Sequence, residues 1–171
     1  MDAQELRVRQ QPLKKRYQEE PDAALVSARA EARLDDQAIA CTLPTWAGAV
    51  VAGLHPAAGG DGAHACSADM LLEALAACAG VTLKSVATAM GIGLREGRVI
   101  AEGHWDARGT LALDREVPVG LCDVHLRFEL DSDADDAKLA RLIELTERYC
   151  VIYQTLVRSP AQSVELVHLK D

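Results

Sequence analysis

One long apolar segment constrains this sequence more than any other feature. From Ala68 to Met90 nearly every side chain is small or apolar, and Gly91 follows as a helix terminator. The run predicts one helix of ~33 Å, about the width of a small domain. Because apolar side chains lie nearly all round it, other elements must enclose it on most sides. Glu73 and Lys84 interrupt the segment, so we expect a buried core helix rather than a membrane span.

Segments in which apolar and polar side chains alternate come before and after this helix in the sequence. Residues 25–34 alternate apolar with charged side chains, and residues 122–130 alternate strictly, as half-buried strands do. Ser67 and the pair Ser132–Asp133 are the predicted helix caps. The predicted strands are 25–34, 37–43, 46–52, 98–108, 122–130 and 163–169, and the predicted helices are 5–20, 68–90, 134–148 and 150–157. Strands cluster before helices, which predicts an α+β fold with antiparallel sheets packed around the long central helix.

The chain length of 171 residues fits a single domain. Residues 1–22 are predicted as a helical extension that ends at Pro21, and residues 23–171 as the core. A net charge of -8 with 4% aromatic residues disfavours nucleic-acid binding. The first residues lack the apolar segment of a signal peptide, and five cysteines without a C-x-x-C pair do not suggest a secreted disulfide framework. We expect a cytoplasmic protein that binds neither nucleic acid nor membrane.

The histidines and cysteines do not form a metal-binding pattern. His64 and Cys66 could combine with Cys122 and His125, but residues 122 and 125 point to opposite faces of a strand. The H-x-C spacing is also unlike the usual zinc motifs. The loop Gly59–Gly62 lacks the Lys-Ser/Thr of a phosphate-binding loop. We therefore expect no metal and no cofactor.

Two cysteines stand where a thiol could carry chemistry. Cys78 lies inside the long helix among small neighbours, which either admit a closely packed backbone or leave a pocket over the sulfur. Cys150 lies between two helical segments, two residues from Arg148, and a helix start favours thiolate character. Taken alone, each position also suits a small buried core residue. Cys41 and Cys122 fall on inward strand faces and are predicted to serve packing.

The surroundings of these two cysteines resemble a known family. The segment Asp69–Leu83, with Cys78 in Leu-Ala-Ala-Cys-Ala-Gly-Val-Thr-Leu, is similar to the first-cysteine helix of the OsmC/Ohr family. This family comprises osmotically inducible protein C and the organic hydroperoxide resistance proteins. The segment Cys150–Leu156 is similar to the family's second motif, C-P-V-x-x-x-L, with Val151 in place of proline. The order and spacing of flanking strands also match over residues 25–169.

The resemblance implies a thiol peroxidase that forms an intertwined homodimer. Cys78 would attack an organic hydroperoxide or hydrogen peroxide and become a sulfenic acid, which Cys150 would resolve as a disulfide. A dithiol reductant, lipoyl-type in one branch of the family, would restore both thiols by exchange. The alternative is a redox-sensing or small-ligand-binding dimer with little peroxidase turnover.

A buried mid-helix thiol requires a nearby cation, because burial disfavours the thiolate. The organic hydroperoxide resistance branch carries a glutamate ten residues before its first cysteine, which helps hold an activating arginine. Here Ala68 occupies that position, and Asp69 is the nearest acid. Arg29, Glu31 and Arg33 share one face of the first predicted strand. We expect one of these arginines to lie over the first cysteine, with Asp69 or Glu31 partly replacing the glutamate.

Overall fold

The computed structural model describes residues 1–168 of the chain. A helix comes first, followed by a sheet, the long helix, a second sheet and two final helices. Single-turn 3-10 helices occur at Pro21–Ala24 and Pro56–Ala58. The remaining elements are α1 (Ala3–Glu19), β1 (Arg33–Leu34), β2 (Ala40–Thr45), β3 (Gly48–Gly53), α2 (Ser67–Met90), β4 (Glu96–His104), α3 (Ala107–Thr110), β5 (Asp123–Asp131), α4 (Asp136–Tyr149) and α5 (Val151–Val157).

The strands form two separate antiparallel sheets. β1, β2 and β3 lie side by side in that order, and β2 and β3 form a hairpin in which Thr45 is opposite Gly48. Gly48 has a φ of 125°, which residues with a Cβ rarely adopt, so glycine allows the tight turn to close. β4 and β5 pair along their whole length, from Glu96 opposite Asp131 to His104 opposite Asp123. Antiparallel sheets combined with helices confirm the predicted α+β class.

The long helix α2 packs against β4, α4 and α5. Its buried stripe repeats every four residues and consists of Leu75, Ala79, Leu83 and Ala87. The C-terminal half of this stripe meets Ile92 and the fully buried Leu142 of α4 in the hydrophobic core. The opposite face stays open to solvent in the single chain, where Val81 is 73% exposed. One chain therefore encloses only one face of this apolar helix.

The end of α2 follows the sequence signal. Gly91 adopts the left-handed conformation at φ 68°, and its N–H donates to the carbonyl of Thr88 at 3.2 Å. The N–H of Ile92 donates to the carbonyl of Ala87 at 2.9 Å, which completes the capped end. By length and composition, α2 is the one helix among the described residues that could cross a membrane. The core helix of a folded domain meets the same criteria, so this property does not assign α2 to a bilayer.

The first and last predicted strands are mostly not formed within residues 1–168. Only Arg33–Leu34 pairs with β2, whereas residues 25–32 take no regular structure and are exposed. Residues 159–168 also take no regular structure, and Leu169 lies outside the described residues. A strand forms where its backbone N–H and C=O groups meet a partner strand. The alternation of side chains predicted the strand pattern correctly only where such a partner is present in the same chain.

Two helices have N-cap residues other than those predicted. The N-cap of α2 is Cys66 rather than Ser67, and its side chain makes no capping hydrogen bond. The N-cap of α4 is Asp135, whose carboxylate accepts a backbone N–H at 2.8 Å. The predicted cap Ser132 instead donates its hydroxyl to the carbonyl of Gly93 at 2.7 Å. Its tertiary contact with the loop after α2 competes with the capping role.

Candidate active site

Cys150 is the single residue between α4 and α5. Its N–H donates to the carbonyl of Thr146 at 2.9 Å and ends α4, while its carbonyl accepts from Gln154 at 2.9 Å and begins α5. Its sulfur accepts the backbone N–H of Tyr153 at 3.5 Å, as an N-cap side chain does. The residue is completely buried, at 0% exposure. These bonds on both sides of the junction fix the position of the sulfur.

Cys78 lies on α2, beside the start of α5. Its side chain is half-buried, in contrast to the enclosed Cys150. The two thiols are close enough that each shifts the pKa of the other. The fold thus brings into contact two cysteines that are 72 residues apart in the sequence. Both cysteines are free thiols.

Hydrogen bonds stabilise the thiolate form of Cys78. Burial opposes ionisation, yet hydrogen bonds from neighbouring groups outweigh it and lower the pKa of this thiol. The largest comes from the backbone amide of Ile152, followed by the thiol of Cys150, the amide of Val151 and the hydroxyl of Thr82. The two amides belong to the first turn of α5, where the helix dipole is positive. Within this chain, neutral donors stabilise the sulfur anion.

The pKa of Cys150 moves in the opposite direction. Burial raises the pKa of this thiol, the amide of Tyr153 offsets part of the increase, and the hydrogen bond to Cys78 raises it further. The sequence predicted that the helix start would favour a thiolate at Cys150. Amides of α5 lower the pKa of both thiols, but at Cys150 burial outweighs them, so the two thiols differ in their tendency to ionise.

The two candidate arginines lie away from the thiol pair in the single chain. Nη2 of Arg29 is 2.9 Å from Oε2 of Glu31, and Nε of Arg33 is 3.5 Å from Oε1 of the same carboxylate. The side chains of the arginines are 83% and 80% exposed. Asp69 is exposed in the first turn of α2. An arginine over Cys78 therefore stays a prediction, because no contact within the described residues joins it to the sulfur.

The sequence pattern did not reveal Thr82 and Ile152 as members of the site. Thr82 follows Cys78 by one helical turn, and this spacing is a local signal that could have identified it. Ile152 contributes only its backbone amide, so its side chain carried no signal. Its position depends on the break between α4 and α5 at Cys150.

Two open clefts are lined in part by residues of α2. One, of about 610 Å³, is lined mainly by apolar side chains of α2, α5 and β5, with Glu147 and His125 among its polar members. The other, of about 630 Å³, lies between α1, α2 and α4. Leu75 lines the first cleft and Thr82 lines the second. Both residues are within about one turn of Cys78 on α2, although Cys78 itself lines neither cleft.

The other three cysteines do not join this pair. Cys41 lies on β2 and is half-buried, and Cys66 precedes α2. Cys122 was predicted to face inward, but β5 begins one residue later and its side chain is exposed. Among residues 1–168, no group of three or more His, Cys, Asp and Glu side chains is placed to hold a metal ion.

The protein thus has an α+β fold with a two-thiol site. The two cysteines are distant in the sequence and lie together at the start of α5. A family model described as OsmC-like protein matches residues 60–165, a range that contains both cysteines. The chain therefore belongs to the OsmC-like family. A comparison with curated protein sequences gave no match.

Solved structures with a similar fold include several members of this family. An OsmC-like protein from Mycoplasma pneumoniae aligns with a TM-score of 0.65 at 18% identity, covering 78% of this chain and 89% of its own. An organic hydroperoxide resistance protein OsmC from Legionella pneumophila aligns with a TM-score of 0.61 at 18% identity, covering 80% and 92%. A hypothetical protein from Aquifex aeolicus gives a TM-score of 0.61 at 14% identity, covering 79% and 90%. At these identities the likeness concerns the fold.

Proposed function

We propose that the protein is a cysteine-based thiol peroxidase that reduces hydroperoxides. In the first step, the Cys78 thiolate attacks the terminal oxygen of the peroxide, so an S–O bond forms as the O–O bond breaks. The departing alkoxide takes a proton and leaves as an alcohol, or as water when the substrate is hydrogen peroxide. The sulfur is oxidised to a sulfenic acid by two electrons, and the peroxide is reduced.

In the second step, the thiol of Cys150 attacks the sulfenic acid of Cys78. An S–S bond forms, and the hydroxyl leaves with the proton of Cys150 as water. An external dithiol then reduces the disulfide through a mixed disulfide, regenerates both thiols and becomes a disulfide itself. A lipoyl-type dithiol suits this role, and the reducing cytosol is the expected setting.

The proximity of the two thiols, which shift each other's pKa in opposite directions, is the single observation that carries this proposal. Cys78 is half-buried and has a lowered pKa, which are properties of an attacking thiol. Cys150 is enclosed and keeps its proton, which suits a partner that reacts only after Cys78 is oxidised. The apolar lining of the 610 Å³ cleft favours organic hydroperoxides over hydrogen peroxide.

We also propose that the active form is an intertwined homodimer. Apolar side chains stay exposed on α2 and on both irregular segments, including Val81, Leu25, Val26, Val164 and Leu166. A second chain would cover them and would offer strand partners to residues 25–32 and 159–168. In such a dimer, Arg29 or Arg33 of one subunit would be free to reach the Cys78 of the other.

Peroxide consumption by the purified protein tests the proposal. With dithiothreitol or dihydrolipoamide as reductant, we expect multiple turnovers of cumene hydroperoxide and slower turnover of hydrogen peroxide. Cys78→Ser should abolish consumption, and without reductant Cys150→Ser should consume about one equivalent per chain. Cys122→Ser is the matched control and should retain full activity, since this exposed thiol lies outside the pair. Equal activity of Cys78→Ser and the unsubstituted protein would reject the proposal.

A redox sensor is the second candidate function. It is favoured by the position of Arg29 and Arg33, which bind Glu31 rather than Cys78 in the single chain. A sensor would form the Cys78–Cys150 disulfide once and persist in that state. Peroxide turnover in the presence of a dithiol separates the candidates, because a sensor would consume about one equivalent before it stops.

A further inference from the structure

Three helices each present one face to the 630 Å³ cleft between α1, α2 and α4. The face of α1 consists of Leu6, Gln10 and Lys14, which recur every four residues. The faces of α2 and α4 are mainly apolar and include Val86 and Leu145. A volume of this size is typical of sites that bind small molecules.

The wall that α1 contributes lies outside the part of the chain that the family model matches, residues 60–165. A capping box holds the start of this helix. The N–H of Glu5 donates to the carboxylate of Asp2 at 2.8 Å, and the N–H of Asp2 donates to the carboxylate of Glu5 at 2.9 Å. The helix also packs against α2. The cleft is therefore a formed feature of this chain that depends on its N-terminal extension.

Lys14 is the one charged side chain among the described residues that line this cleft. Its neighbours on α1 are paired, with Nζ of Lys15 at 3.9 Å from Glu19 and Nε of Arg16 at 3.7 Å from Glu20. Lys14 forms no ion pair within residues 1–168. In a chain of net charge -8, an unpaired ammonium at an apolar cleft favours an anionic ligand group.

A second cation lies beside the same cleft. The guanidinium carbon of Arg148 is 5.8 Å from the ring centroid of Tyr149, and Tyr149 lines the cleft from α4. Ser85 and Tyr149 add hydroxyl donors to its lining. The lining thus offers donors and positive charge, without a carboxylate from the part of the chain that the structure describes.

We propose that this cleft binds a small carboxylic acid with an apolar alkyl or aryl body. The carboxylate pairs with the ammonium of Lys14, and the apolar body lies against the apolar faces of α2 and α4. Ion pairing favours the charged head, because a hydrogen bond to a charged group is stronger than one between neutral groups. Removal of the apolar body from water favours the remainder. The site does not depend on the proposed peroxidase reaction.

Calorimetric titration of the full chain with octanoate tests the site, with octanol as the uncharged ligand of the same length. We expect octanoate to bind more tightly than octanol. Lys14→Gln should weaken octanoate binding by about tenfold and leave octanol binding unchanged. Lys15→Gln is the matched control, because it removes the same charge from the next residue, which pairs with Glu19. It should leave both affinities unchanged.

Ala89→Phe locates the apolar body, because Ala89 is exposed and lines the cleft from α2. The added ring narrows the cleft and should abolish binding of both ligands, with the fold checked by circular dichroism. The proposal is overturned if octanoate shows no saturable binding, if Ala89→Phe binds it normally, or if Lys14→Gln and Lys15→Gln have equal effects. Sedimentation with octanoate adds a further check. Binding that requires dissociation of a dimer would also overturn the proposal, since the cleft would then belong to the interface between two copies.

Discussion

Cys78 on α2 and Cys150 at the junction of α4 and α5 influence each other's ionisation: the pKa of Cys78 is lowered and the pKa of Cys150 is raised. Cys150 is fully buried at the junction of two helices, whereas Cys78 is half-buried. The amides of Val151 and Ile152 in α5, the helix that Cys150 caps, add to this difference in pKa because they lower the pKa of Cys78. One structural junction therefore places the second thiol and stabilises the anion of the first.

Mild treatment with an organic hydroperoxide should join Cys78 to Cys150 and leave the other three cysteines reduced. Contact between the two thiols is the reason, since no other pair is brought together at this site. Cleavage after glutamate gives fragments 74–96 and 148–165, each with one cysteine, and mass spectrometry would detect them as a linked pair. A dominant disulfide involving Cys41, Cys66 or Cys122 would contradict the assignment.

The rate of peroxide reaction should increase with pH through the pKa of Cys78 and then become constant, because only the thiolate attacks. Cys150→Ala removes an S–H donor that lowers this pKa, so the midpoint should move to higher pH. Cys150→Ser keeps a donor and should shift it less. Rapid-mixing measurement of the first oxidation step across pH 5–9 provides the check. A midpoint that falls in Cys150→Ala would be the opposite of what this hydrogen bond predicts.

Replacement of the activating arginine should slow the first oxidation step by tenfold or more, because a guanidinium near the sulfur stabilises its anion. The test compares Arg29→Met and Arg33→Met with the unsubstituted protein in single-turnover oxidation. Both side chains are mostly exposed in the single chain, so neither change should prevent folding. If both variants react at the normal rate, the amides of α5 and the hydroxyl of Thr82 are sufficient activators.

Sedimentation at low micromolar concentration should give a species of about 37 kDa, twice the 18.4 kDa of the chain. We expect a buried interface above ~2,000 Å², as in obligate dimers. Val81→Arg places a charge on the exposed face of α2 and should shift the protein toward monomer. Arg115→Ala, outside the regular elements, is a control for a general charge effect. A stable monomer of the unsubstituted chain would reject the intertwined dimer.

Leu142→Ala should reduce the free energy of unfolding by about 2–5 kcal/mol, the usual effect of a cavity in a hydrophobic core. Leu142 is completely buried against the second half of α2. Leu113→Ala is the control, because its side chain is 73% exposed and should change stability by less than about 0.5 kcal/mol. Urea denaturation followed by circular dichroism measures both. Equal effects of the two substitutions would contradict the described core.

Local patterns in the sequence were sufficient for most of the fold. The apolar run before Gly91 predicted α2 and its end, because a left-handed terminator is a local property. The alternation after Cys122 predicted β5 to within one residue. The alternation of residues 25–34 predicted a strand that is mostly absent from the described single chain, because pairing depends on a partner that local sequence does not contain.

The sequence by itself determined that Cys78 and Cys150 are the thiols to consider and that each lies on or beside a helix. Only the tertiary structure decided how they differ, because burial and hydrogen bonding depend on residues distant in the chain. The break at Cys150 brings the first amides of α5 near both thiols, and burial outweighs their effect at Cys150 but not at Cys78, so only the pKa of Cys78 is lowered. The spacing of residues along the chain determines which side chains share one face of a helix or strand. The tertiary packing determines which other residues contact that face.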